Sequence, residues 1–433
     1  MRQRCLVMAI VGGLTAGAQV PMTAMAAENG AATLSGALSQ SWDSRRNAWQ
    51  EQGATLGFGY KADLLHNSGG LRSATQTMWQ VDARLGLDLE RLAGLAGTSA
   101  YVQVLEDRGG HINEHDTGSL MGVSNIEVPT ASAHVFHAWL QKTAFDGRLA
   151  VLLGLYPIDS EFATIDSAGV LVNPTFGASS DFSPTRGPSI FPVSAFGSRI
   201  RWTWADRAAY VQGALLDGIP GDPHTYQGTH IEFNKGDGSF GILELGYKPG
   251  EAADDDKARA LVAPFDKLAI GAWRYTAHAD DLIDRDAAGN PLKRTSYGYY
   301  LLSEKTLYRE APDAPQGLAG FLRYSATDGD STPIRHALNF GLRYQGLIAG
   351  RGDDIAAFGF SRSRLSEKLR SAASSAGLAL VAHEDVLEIT YRAQMFKWLA
   401  LQPIVQRFHD PSLHMRPGHN RVSVVGLRVD VEL

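Results

Sequence analysis

The last residues of the chain alternate strictly: Val425, Leu427, Val429, Val431 and Leu433 are separated by Gly426, Arg428, Asp430 and Glu432. Successive side chains of a strand point to opposite faces, so this segment makes one apolar face and one charged face. The same period runs through Trp79, Val81, Ala83, Leu85, Leu87 and Leu89, between which lie Gln80, Asp82, Arg84, Gly86 and Asp88. A helix would scatter those charges around its surface. Followed along the chain, the pattern predicts about 16 strands, near 54–65, 76–89, 98–107, 133–144, 148–156, 197–205, 207–216, 239–248, 265–276, 297–306, 316–326, 335–345, 354–361, 384–394, 398–408 and 421–433.

The connections alternate in length. Tight turns at Asp146-Gly147, Asp206-Arg207 and Met395-Phe396-Lys397 alternate with long segments at 108–132, 157–196, 217–238, 277–296 and 362–383. Outer-membrane barrels have this rhythm of short periplasmic turns and long external loops, with an even strand number. The segment 249–264, carrying Asp254-Asp255-Asp256, is longer than the rhythm expects on the periplasmic side. Trp202, Trp204, Trp398, Tyr297, Tyr299 and Tyr300 gather near strand ends, where interfacial girdles would place them. A soluble sandwich also has one apolar and one polar face. The closing strand without a tail, the rhythm of connections and the charges recurring on the polar face favour an all-β, 16-stranded antiparallel transmembrane β-barrel.

Length does not decide between several soluble domains and one large β architecture over 433 residues. The amino terminus says more. Arg2 and Arg4 precede an apolar run from Cys5 to Val20, and Ala24-Met25-Ala26 follows as a small-residue cleavage site, the layout of a secretory signal peptide over 1–26. Residues 27–53 then form an N-terminal periplasmic or plug segment, with a short helix or irregular structure at 43–52, and 54–433 form the barrel. Cys5, the one cysteine, lies inside the signal, so burial and backbone hydrogen bonds hold the mature chain. Cleavage moves the formal charge from −6 to −8, because Arg2 and Arg4 leave and no acid does. That balance carries no nucleic-acid signature. No later segment has the ~20 apolar residues of a spanning helix, so a membrane form of this chain is a barrel.

With apolar faces to lipid, the inward list includes Asp82, Arg84, Arg199, Arg201, Glu244, Arg343, Glu388, Arg392, Arg428, Asp430 and Glu432. Charges of both signs across a water-filled lumen suit solutes with many hydroxyls, which donate to carboxylates and accept from guanidinium groups. Some of these charges are equally expected to pair along the wall. The segment 157–196 is too long for an idle connection and holds Phe162, Phe176, Phe182 and Phe191, with Pro174, Pro184, Pro188 and Pro192. It is expected to fold inward as the pore constriction, its aromatic faces against the C–H face of a sugar, or else to lie outside as a lid. Arg199 and Arg201 share a face opposite Ile200, Trp202 and Trp204, and are expected to meet the loop, binding sugar or pinning acids such as Asp166 and Asp181.

Glu161-Phe162, Ser167-Ala168-Gly169 through Asn173, Phe176-Gly177 and Gly187-Pro188-Ser189-Ile190-Phe191-Pro192 resemble a stretch of the carbohydrate-selective porins of the OprB type. So do Leu387-Glu388-Ile389-Thr390-Tyr391-Arg392-Ala393-Gln394, Trp398 to Pro403, and Gly426-Leu427-Arg428-Val429. The resemblance implies a 16-stranded outer-membrane barrel for passive uptake of small sugars such as glucose. Outer-membrane lipid and the barrel-assembly machinery are its implied partners, although the chain ends in Leu433 where such barrels usually end in an aromatic residue. Monomer and homotrimer both stay open. The rival classes are an exported β-rich carbohydrate-active enzyme, which needs a carboxylate pair at defined separation, and a plugged surface-binding barrel. No serine elbow or phosphate loop occurs. Asp328-Gly329-Asp330 lacks the remaining ligands of a calcium loop, Arg351-Gly352-Asp353 falls in a proposed periplasmic turn, and His134, His137, His409, His414 and His419 lack acids or cysteines at ligand spacing. No cofactor and no metal is expected.

Overall fold

The computed structural model describes residues 44–204, 208–221, 227–249, 265–312, 314–378, 380–412 and 421–433. The signal peptide, residues 27–43, the turn at Asp206-Arg207, most of 249–264, His414 and His419 lie outside the described residues. The chain divides into two units, Met1–Gln52 and Gly53–Leu433. In the first, residues 44–52 are helical, the helix alternative of the sequence reading.

In the second unit sixteen strands form one closed antiparallel barrel. They are β1 (Ala54–Gly69), β2 (Ala74–Asp88), β3 (Thr98–Gly109), β4 (Ser132–Ala144), β5 (Leu149–Tyr156), β6 (Ala195–Thr203), β7 (Ala209–Asp217) and β8 (Ser239–Tyr247). The second half comprises β9 (Lys267–Arg285), β10 (Pro291–Arg309), β11 (Gly317–Thr327), β12 (Ile334–Gln345), β13 (Ile355–Leu365), β14 (His383–Phe396), β15 (Leu399–His409) and β16 (Arg421–Glu432). Closure joins the ends of the sequence: β1 pairs with β16, Leu64 opposite Leu427, and Phe58 and Leu433 exchange backbone hydrogen bonds of 3.1 and 2.8 Å. Among the described residues the sheet has no free edge that would need a partner in lipid.

The facing follows the alternation. On β16 Val425 and Leu427 are 49% and 38% exposed, whereas Arg428 and Asp430 are buried. Exposed Leu153, Ile200, Leu243, Ile270, Leu322 and Ile389 continue the outward apolar band. Phe145, Trp204, Phe396, Tyr247 and Tyr308 are exposed at the periplasmic end, and Tyr297, Tyr299 and Tyr324 toward the external end. Tyr300 departs from the expected girdle: its parity turns it inward, where it is buried and its hydroxyl meets Glu244.

Three connections differ from the expected loops. Residues 277–296 are mostly strand, since β9 and β10 run on as a hairpin to the turn after Arg285. The hairpin is polar on both faces above the membrane and has register shifts at Pro291/Lys293 and Thr295/Tyr297, so it leaves no two-residue hydrophobic signal. Leu89–Ala93, whose first residue continues the alternation of the strand before it, is a short helix capped by the Asp88 carboxylate and ended by Gly94 in the left-handed region. In 362–383, β13 continues to Leu365 and a helix follows at Glu367–Ser375, with the Ser366 hydroxyl accepting from the Leu369 amide. Lys368 of that helix meets Asp281 and Asp284 of β9 and Asp330 of the β11–β12 connection.

The interior is not polar throughout. Leu65, Met78, Val386, Ile404, Phe408, Val422 and Val424 are buried wall residues toward the external end. They are inward and apolar because two external loops pack on them.

Candidate functional site: the lumen and its infolded loops

The third external loop, residues 157–194, connects β5 to β6 and lies along the inside of the wall. Its tight turns at Ile158–Ser160, Asp166–Ala168 and Pro174–Phe176 leave many amides without a strand partner. A buried amide must find an acceptor, and wall carboxylates supply it. Glu244 of β8 accepts from the Ala163 amide at 2.9 Å, Glu304 of β10 from Asp166 and Ser167 at 3.1 and 2.7 Å, and Glu388 of β14 from Val172 and Asn173 at 2.7 Å each. Arg323 of β11, fully buried, donates to the Thr175 and Gly177 carbonyls at 2.6 Å each. These charge-assisted bonds string the loop from β8 to β14.

Apolar packing follows the same path. Phe162 joins Tyr156, Trp273 and Tyr300, while Ile165, Leu171 and Phe176 pack with Phe321 and Ala357. Phe176 is 2% exposed and sits over Gly359, where an added Cβ would come within 2.6 Å of its ring. It does not line the lumen as the sequence suggested. Phe182 packs on Phe240 and Trp273, and Phe191 on Phe136. The loop aromatics thus dock the loop to the wall, and alternation gave no sign of this because it reports facing, not depth.

A second infolded loop, residues 110–131 between β3 and β4, was not expected. Ile112, Met121, Val123 and Ile126 are buried in its apolar contact with the wall. Glu384 accepts from the Leu120 amide at 3.0 Å, and Gln406 donates to the Val123 carbonyl at 2.9 Å. Arg428 forks onto Asp63 at 2.7 and 2.8 Å and reaches Asn125 of the loop at 2.8 Å.

The predicted inward charges therefore separate into two sets. Glu244, Glu388, Arg199 and Arg428 are buried and hold loop or wall groups. Arg199 pairs with Glu161 at 2.9 Å and with Gln141 at 2.9 Å, not with Asp166 or Asp181. Asp166 meets Lys248 at 2.9 Å, and Asp181 accepts from Ser325 at 2.6 Å. The other set lies on the periplasmic halves of its strands. Arg84 stands between Asp82, at 3.2 Å, and Glu432; Arg392 meets Asp430 at 3.1 Å. Arg201 covers the Tyr210 ring at 3.9 Å and Arg343 the Phe265 ring at 4.9 Å.

Sequence reading missed an aromatic pair beside the first of these groups. Tyr101 of β3 and Trp139 of β4 share the inward face, with centroids 5.4 Å apart and planes inclined by 30°. Gln103, two residues along from Tyr101 on the same face, donates to Asp82 at 2.9 Å. The signal was present in the parity of Tyr101 and Trp139, but both are apolar enough to pass for lipid-facing residues. Flat aromatic faces next to paired charges and amides can meet the C–H face and the hydroxyls of a sugar together.

Comparison with known proteins agrees with this geometry. The model of the carbohydrate-selective porin OprB family matches residues 70–433. Among solved structures, Pseudomonas putida OprB at high pH superposes with a TM-score of 0.77 at 17% identity, covering 90% of this chain and 97% of that one. An anion-selective porin from Comamonas acidovorans and the outer membrane channel DcaP of Acinetobacter baumannii each give 0.51, at 9% and 11% identity, covering 88% of this chain and 99% and 98% of theirs. The comparison with curated proteins finds no match.

Proposed function

The chain belongs to the OprB family of carbohydrate-selective porins of the outer membrane, and on that footing we propose that it passes monosaccharides such as glucose down their gradient into the periplasm. The observation that carries this reading is the third loop, bonded to the inside of the wall by Glu244, Glu304, Glu388 and Arg323, where it narrows the path. Sugar leaving the loop would meet Arg84, Asp82 and Gln103 on one side and the Tyr101–Trp139 pair beside them, with Arg201, Arg343 and Arg392 as further contacts. Export is assigned to a signal peptide cleaved after residue 26. Liposomes containing the purified protein should swell faster in a monosaccharide than in a large oligosaccharide, and Tyr101→Ala should weaken sugar block of ion current. Absence of swelling with every sugar would leave a plugged barrel as the better reading.

A further inference from the structure

We infer that the outward face of β13–β16, at its external rim, binds a phosphorylated glycolipid of the outer leaflet. Buried Ser361 and Ser363 face the lumen, so Arg362 and Arg364 between and beyond them face out, with side chains 48% and 46% exposed. By the same parity Phe408 and Val422 point in, and Arg407 and Arg421 point out. Register brings these cations together. Arg364 lies opposite His383, Arg362 opposite Asp385, Asp385 opposite His409, and His409 opposite Arg421, while Arg407 lies opposite Ser423.

Height places the cluster at the membrane surface. The 12 residues of β16, at about 3.3 Å each and a tilt of about 40°, rise roughly 30 Å, which sets Arg421 just clear of an apolar band about 25 Å tall. Phe360, Ile389, Val405 and Val425, on the same outward face, form the band beneath it. A ligand here has acyl chains below and a head group at the arginines.

Charge selects the head group. Four arginines face Asp385, which takes a fork from Arg362 at 2.8 and 2.7 Å, and Glu367, 3.8 Å from Arg364. The surplus is cationic, and guanidinium forks match phosphate geometry. Three inter-strand steps of about 4.8 Å spread the cluster over roughly 14 Å, a span suited to a sugar head group carrying more than one phosphate.

The test is independent of sugar passage. Wild-type protein in detergent would be incubated with bisphosphorylated lipid A, dephosphorylated lipid A or phosphatidylglycerol, and retained lipid counted by native mass spectrometry. Retention of bisphosphorylated lipid A should fall at least tenfold in the Arg362→Gln, Arg364→Gln, Arg407→Gln, Arg421→Gln variant and persist in Arg148→Gln, Lys305→Gln at the opposite rim. A heat-modifiable gel shift and unchanged liposome swelling would show the fourfold variant folded and open. Equal retention in that variant overturns the site. Equal retention of dephosphorylated lipid A overturns the role of phosphate, and equal competition by phosphatidylglycerol overturns the glycolipid in favour of any anionic lipid.

Discussion

Glu127, in the second loop, illustrates how far a residue's role depends on its surroundings. Its Oε1 accepts from the Asn113 amide at 2.9 Å, while buried Oε2 has no partner among the described residues. Burial, helped by the nearby Asp116 and Glu114 carboxylates and only partly offset by the Asn113 and Glu114 amides, pushes its carboxyl from the ordinary 4.5 up to about 8. The folded protein therefore holds this proton to higher pH than the unfolded chain does. Stability from this group is greatest below about 4.5 and declines as pH rises toward about 8. Hydrogen exchange in residues 110–131, corrected for intrinsic rates, should report easier opening at pH 8 than at pH 5 in the wild type and a flatter profile in Glu127→Gln. A parallel decline in both proteins would take Glu127 out of the account. The sequence could place an acid in that loop, but not show that one of its oxygens ends up without a partner.

Among the elements, the third loop and the β9–β10 hairpin left different traces in the sequence. The loop's length and its prolines point to an infolded segment or an external lid, and its bonds to inward wall groups put it inside the barrel. The hairpin carries the polar pairs Lys293–Asp280 and Arg294–Asp281, so its strands show no apolar face and looked like a loop. What fixes the loop is a small set of long-range bonds, and Arg323 is the most exposed to test. Arg323→Met would leave the buried Thr175 carbonyl without its donor, at a cost of about 1–3 kcal/mol, and would leave the carbonyl of exposed Gly177 to water. Single-channel conductance should rise and become noisier as the loop loosens. Wild-type conductance in a variant shown to be folded would mean that the carboxylates alone keep the loop in place.

At the scale of the whole molecule, closure of β1 on β16 turns the outward positions of the apolar band toward lipid. Val429→Arg should lower the folded fraction in lipid by about 2–4 kcal/mol if it lies near the midplane, whereas Asp82→Ala, on the lumen side, should fold nearly as well as the wild type. Similar folding of both, measured by heat-modifiable gel shift in liposomes, would reverse the assigned facing. The sequence by itself determined the number of strands, most of their facing and where along the chain the long third loop falls, because the two-residue period and the punctuation between strands are local properties of the chain. Only the tertiary structure decided which inward charges remain in the lumen. Glu388 reaches the amides of Val172 and Asn173 across 216 and 215 residues of sequence, and Arg428 reaches Asp63 across 365. Alternation could put such groups on the inner face, but a partner that distant exists only once the barrel has closed and the loops have entered it.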